Sequence, residues 1–307
     1  MNIQGAYDLH IHGGPEPIPR KFDFVTMSRS MAEAGMAGFV AKSHFYSTVP
    51  YAVLADRYGA PVIWGSVTLN RFVGGINPNA VRASLGYRRG SVPLLRIVWM
   101  PTMHAKSNLA MLRRKGIGFD IPPEWTAGVP APGAQPIDSI EPIDLTAPSV
   151  QDALKETFDV MAEGGVALAT GHISREEIFH IVPLAKSRGV RSVVLTHPIY
   201  ASTELTDAEM RELTGEYENV FAEMCYIFMP IDGFTAEQMV SHIRAVGPER
   251  VLLCTDSGQS SMEPPHVCMQ RYFDLLSAAG FDDESLQTMA IRNAQTVLGL
   301  SGKGESA

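Results

Sequence analysis

Eight short runs rich in Val, Ile, Leu and Phe recur along the chain, and their spacing limits the fold more than any other feature. They are Ala6–His12, Phe39–Phe45, Val62–Leu69, Leu94–Met100, Val166–His172, Ser192–His197, Val220–Cys225 and Val251–Asp256. Most are apolar at nearly every position, the pattern of parallel strands covered on both faces. Their successive starts lie 33, 23, 32, 72, 26, 28 and 31 residues apart. Helical segments fall between them: Phe24–Ala34, Val49–Tyr58, Asn79–Arg88, Val150–Met161, Arg175–Ser187, Ala208–Glu216 and Ala236–Ala245. Ser, Thr or Asp before most of these segments and Gly after them are ordinary helix punctuation. Eight alternating strand–helix units predict an α/β chain folded as one (β/α)8 barrel of the TIM type, spanning residues 1–307 as a single domain. An open doubly wound sheet is the lesser alternative, because no Gly-x-Gly-x-x-Gly turn follows the first run.

The one long interval places a Pro-rich insertion at about Met103–Pro148, after the fourth strand. Pro122, Pro123, Pro130, Pro132, Pro136, Pro142 and Pro148 rule out a long regular element there. Such a segment leaves the C-terminal face of a barrel, where it serves as a pocket wall, a surface excursion or a subunit contact. The composition, 45% hydrophobic and 19% charged with mean hydropathy +0.02, excludes a disordered chain. No apolar run reaches the roughly 18 residues of a membrane span, and the first residues lack the pattern of a secretory leader. Cys225, Cys254 and Cys268 cannot build a disulfide framework. A cytoplasmic protein with no membrane partner is therefore expected. With 25 basic against 33 acidic residues the net charge is −8, which disfavours nucleic acid as a partner. A small-molecule substrate and a homo-oligomeric state are the remaining expectations. Ser301–Ala307 reads as a frayed tail.

The histidines carry the chemistry. Of nine, six fall at the C-terminal ends of predicted strands: His10, His12, His44, His104, His172 and His197. In a βα barrel those ends share one site. His10-Ile11-His12 puts two imidazoles on one face of the first strand, since strand side chains alternate. Asp8 shares that face and can orient a ligand. His172 ends the fifth strand, His197 the sixth, and Asp256 the eighth, so these five residues form a candidate metal set. Imidazole and carboxylate suit Zn, with Mn, Fe, Ni or Co as alternatives, and one or two ions. Asp256 can also take a proton from a metal-activated water.

This strand order resembles the amidohydrolase superfamily, a (β/α)8 barrel with H-x-H on strand one, Lys or Glu on strand four, His on strands five and six, and Asp on strand eight. The closing segment Asn293–Leu300 is similar to that family's last helix. The resemblance implies that His10, His12 and Asp256 hold a first ion. His172 and His197 then hold a second, or His172 joins the first and His197 contacts substrate. It further implies hydrolysis of an amide, cyclic amide or lactone bond through metal-activated water, with Asp256 shuttling the proton. A non-oxidative decarboxylase of the same superfamily is the first alternative, and a catalytically silent binding barrel the second.

The fourth strand departs from that pattern, ending without Lys or Glu. Lys42 and His44 end the second strand instead, and Lys42 has three open roles. It could bridge two metals as a carbamate, bind a substrate carboxylate or oxyanion, or pair structurally with Asp8. His44, His104 and Arg71 are candidate substrate contacts, with a surface role as the alternative for Arg71. Glu223 on the seventh strand is either an orienting group or a paired core carboxylate. Cys225 as a nucleophile would need a neighbouring base, and the histidines have a better use; no Gly-x-Ser-x-Gly elbow occurs, which disfavours a serine hydrolase.

Overall fold

The computed structural model describes residues 2–59, 62–122, 126 and 133–300. Each apolar run contains a strand: β1 (Tyr7–His12), β2 (Gly38–Lys42), β3 (Ile63–Thr68), β4 (Leu95–Trp99), β5 (Ala167–Ala169), β6 (Val193–Leu195), β7 (Val220–Cys225) and β8 (Val251–Cys254). All eight are parallel and hydrogen-bonded in sequence order. The ring closes between its last and first members. The His12 N–H donates to Ser257 O, and the Asp256 N–H to His10 O, both at 2.9 Å. Every strand residue is buried, which is why the runs read as continuously apolar.

The outer helices are α1 (Phe24–Glu33), α2 (Val49–Arg57), α3 (Pro78–Leu85), α4 (Lys106–Arg114), α5 (Gln151–Gly164), α6 (Arg175–Ser187), α7 (Asp207–Glu216) and α8 (Ala236–Val246). Asp23 caps α1, and reciprocal caps open three others: Ser174 with Glu177, Thr206 with Glu209, and Thr235 with Gln238. The α3 helix stops short of Arg88, because Arg88–Arg89 instead pairs with Val92–Pro93 in a small antiparallel hairpin. Beyond β8 come α9 (Pro265–Ala278), α10 (Asp283–Gln287) and α11 (Asn293–Leu298). The last of these is tied to the barrel's N-terminal end. Asn293 Nδ2 donates to Val251 O at 2.6 Å, and Arg191 Nη2 donates to Val297 O at 2.7 Å.

The insertion is more regular than its prolines suggest. It opens with α4, which ends before Pro122, the first of them. The returning chain then covers the mouth: Ile121 and Ala134 pack with Ile18, Met103, Phe45 and Phe72. The segment is thus a wall of the mouth. Pro123, Pro130, Pro132 and Ser301–Ala307 lie outside the described residues. No helix among the described residues is long and apolar enough to cross a membrane.

Closure depends on Gly258. Its φ is +122°, and a Cβ there would lie 1.8 Å from the His12 carbonyl oxygen. Gly258→Ala should therefore cost about 3 kcal/mol in urea unfolding, against about 1 kcal/mol for Gly59→Ala. Gly59 has φ +72° but nothing within 4 Å of its missing Cβ. Equal unfolding midpoints for the two variants would contradict this account of closure.

Candidate metal centre

The barrel mouth is built by strand periodicity. His10 and His12 share a face of β1, and their Nε2 atoms lie 3.1 and 3.2 Å from one oxygen, Asp256 Oδ1. The other oxygen, Asp256 Oδ2, is 3.2 Å from His197 Nε2. None of the four side chains is more than 11% exposed. Asp256 and His197 both lie just past a strand with left-handed backbone, φ 50° and 46°. That conformation is uncommon for residues with a Cβ, and here it turns both side chains to the same cluster.

The donor set fits a divalent ion. Asp256 Oδ1 is buried and makes no hydrogen bond, despite two nitrogens within 3.2 Å. Ligand atoms around an ion at metal–nitrogen distances of 2.0–2.1 Å are themselves spaced by roughly 3.0–3.4 Å. His10, His12 and Asp256 have that spacing, and their ligand atoms lie within 4.8 Å of one another. A second group meeting the same limit comprises His10, His197, Glu223 and Cys225. It is the weaker ligand set, because burial pushes the Cys225 thiol well above its ordinary value and keeps it protonated.

Hydrogen bonds sort the histidines into two kinds. Glu223 Oε1 lies 3.1 Å from His10 Nδ1. A carboxylate only accepts, so Nδ1 carries the hydrogen and Nε2 presents its lone pair. His172 is set the same way: its Nδ1 donates to Asn108 Oδ1 at 3.1 Å, and Asn108 Nδ2 in turn donates to Met103 O. His104 is the reverse, its Nδ1 accepting from the Arg71 N–H at 3.1 Å. His44 Nδ1 lies 2.9 Å from Thr102 Oγ1, which also accepts from Asn70 Nδ2, a contact that either tautomer of the ring can make. Two of the strand-end histidines, His10 and His172, are thus set with Nε2 free as a ligand atom, and His104 is set as an Nε2–H donor.

Burial lowers the pKa values of His10, His12, His44 and His172 and favours the neutral rings. Burial also works to raise the Asp256 carboxyl, against the attraction it gains from His10, His12 and His197 when those rings carry a proton on the facing nitrogen, and the balance lies well below its ordinary value. Lys42 is wholly buried, with Nζ 4.3 Å from the Trp99 ring centre and 2.9 Å from His10 Nε2. Burial brings its ammonium down to about 8, against the pull of Asp256 and Glu223. It donates to the lone pair an ion would use, so metal loading requires that bond to be given up.

Several expectations are corrected. Asp8 does not pair with Lys42; it accepts from Thr255 Oγ1 at 2.5 Å and from the His10 N–H at 3.2 Å. It is a buried brace between β1 and the end of β8, with its carboxyl pushed up to about 7 by burial. Arg71 is no open anion clamp: its guanidinium donates to Glu141 O and Oε2 at 2.5 and 2.9 Å and fastens the insertion. His172 stands beside the cluster, 5.3 Å from His197 between ring centres, and outside the three-residue set. Glu223 proves to orient His10. Asn70, Thr102 and Asn108 join the site without any motif of their own, Asn70 and Thr102 just past the ends of β3 and β4 and Asn108 on α4.

Comparison with known proteins follows from this geometry. A model of a family of unknown function (DUF6282) matches residues 5–223. No curated protein matches the sequence. The organophosphorus hydrolase from Deinococcus radiodurans shares the fold with a TM-score of 0.59, at 14% identity, over 96% of this chain and 92% of that one. The lactonase Lmo2620 from Listeria monocytogenes does so with a TM-score of 0.59, at 10% identity, over 97% and 95%. These likenesses establish the barrel.

Position separates His10, inside the candidate ligand group, from His44, outside it. Elemental analysis should find bound divalent metal lost from His10→Ala but retained by His44→Ala. Glu223→Gln should weaken metal binding about 10- to 100-fold, as removal of a ligand's supporting carboxylate does. Metal loss from His44→Ala with retention by His10→Ala would reverse the assignment.

Proposed function

The chain belongs to the family of unknown function DUF6282, and we propose that it is a metal-dependent hydrolase cleaving an amide, cyclic amide or lactone bond in a small molecule. The observation that carries this reading is the convergence of three imidazole Nε2 atoms on one buried carboxylate. His10, His12 and Asp256 would hold the ion, zinc first by donor type, with His197 and His172 at hand for a second ion or for substrate. Such an ion supplies Lewis acidity, polarising a carbonyl and lowering the pKa of a water molecule. The hydrolase and lactonase among the fold neighbours support this class of chemistry.

The chain's own residues supply the rest. Glu223 fixes the His10 ring so that its lone pair faces Asp256. Asp256, held ionised, takes the proton of the attacking water and returns it to the leaving nitrogen or oxygen. Lys42, once released from His10, donates to the carbonyl oxygen as negative charge develops there. His44, packed against His12 at the mouth, orients the same substrate. The insertion keeps bulk water from the mouth through Ile121 and Met103, both 1% exposed or less.

One observation keeps decarboxylation as a second reading: β4 ends at Trp99 and is followed by Met100, with no Lys or Glu to bridge two ions. A screen of metal-loaded protein against lactones, cyclic amides and carboxylated analogues decides between them. Hydrolysis in 18O-labelled water should place one label in the product with no carbon dioxide released. Carbon dioxide release without label uptake would favour the lyase. With the substrate in hand, Lys42→Met should retain metal and lower kcat by about 100-fold or more with a smaller change in KM. An unchanged kcat would assign Lys42 a purely structural role.

A further inference from the structure

One charged pair at the mouth has no part in the chemistry described so far. Arg20 and Glu16 lie in the loop between β1 and α1, and their side chains are only 3% and 0% exposed. Arg20 Nε donates to Glu16 Oε1 at 2.5 Å, and Glu16 Oε2 accepts from Ser43 Oγ at 2.7 Å. Ser43 follows Lys42, so the pair is anchored to the end of β2. It is anchored on the other side as well: Arg20 bridges Gln259 in antiparallel fashion, and the Lys21 N–H donates to Gly258 O at 3.0 Å. Gly258 lies against the His12 carbonyl. The charge of Arg20 is accordingly felt by His12, Lys42 and His44.

What the pair leaves unused is the end of the guanidinium. Glu16 engages Nε, whereas Nη1 and Nη2 donate to no acceptor among the described residues. A long side chain left to itself carries its charge out to water. Here Glu16 and Ser43 hold it inside the mouth instead. The other cations nearby have other partners: Arg71 is bonded to Glu141, and Lys42, bonded to His10 here, is the donor proposed above for the carbonyl under attack. The paired Nη1 and Nη2 hydrogens match the two oxygens of a carboxylate. Without an ion, Asp256, Glu223 and Glu16 outnumber Lys42 and Arg20 by one charge; a divalent ion reverses that sign, which suits an anionic ligand.

We propose that Arg20 is a specificity-determining residue that binds a carboxylate of the substrate through Nη1 and Nη2. The substrate is then an anionic molecule whose carboxylate stands apart from the carbonyl under attack. This rests on the reading of the mouth as a metal centre.

Isothermal titration of metal-loaded protein with succinate and with butyrate, which lacks the second carboxylate, tests it. Wild type should bind succinate at least about tenfold more tightly than butyrate, as a charge-assisted contact provides. Arg20→Met should bring the two within about twofold of each other, with bound metal unchanged by elemental analysis. Because Arg20→Met leaves Glu16 buried alone, the double variant Glu16→Gln with Arg20→Met is measured beside it and should show the same loss. Equal binding of the two acids by wild type, or a preference that survives in the double variant, would overturn the role of Arg20. A wild-type protein that binds no metal yet keeps an Arg20-dependent preference for succinate would overturn the metal-centre reading and leave Arg20 as a carboxylate site.

Discussion

The Asp256 carboxylate faces three imidazole nitrogens at 3.1–3.2 Å in a mouth almost closed to water. In that setting the His10 lone pair and the carboxylate oxygen are two acceptors side by side, an unfavourable contact unless positive charge lies between or beside them. Lys42 supplies that charge here, donating to His10 Nε2 at 2.9 Å. A divalent ion satisfies the same need with better directionality. Much of the surrounding structure serves to keep the three imidazoles and the carboxylate together.

Two devices achieve this. The first is closure of the barrel between β8 and β1, which sets the Asp256 backbone against His10 and depends on a glycine at position 258. The second is a layer of buried hydrogen bonds on His10, His172 and His44, whereas Nδ1 of His12 and of His197 is buried with no hydrogen-bond partner among the described residues. Glu223 fixes His10, Asn108 fixes His172, and Asn70 with Thr102 fixes His44. Asn108 stands on α4, so the insertion that walls the mouth also orients one of its histidines.

The eight strands were legible because parallel strands buried on both faces leave uninterrupted apolar runs, and because Ser174, Thr206 and Thr235 announce their helices. Boundaries were less so. His172 and His197 read as the last residues of strands, whereas β5 and β6 stop at Ala169 and Leu195, where Gly171 and His197 turn into left-handed backbone. The gathering of histidines at one end followed from strand periodicity. The orientation of the His10 and His172 rings did not, since it depends on Glu223 and Asn108, separated from their partners by 213 and 64 residues. Arg20 was silent for the same reason: it lies in a Pro-rich loop without periodicity, and only Glu16, Ser43 and the Gly258 backbone give it a place.

X-ray absorption on the zinc-loaded protein tests the central claim most directly. The account predicts a first shell of nitrogen and oxygen at about 2.0–2.1 Å, imidazole scattering from at least two histidines, and no sulfur. A zinc–sulfur distance near 2.3 Å would place the ion on Cys225 and contradict the site built on His10, His12 and Asp256.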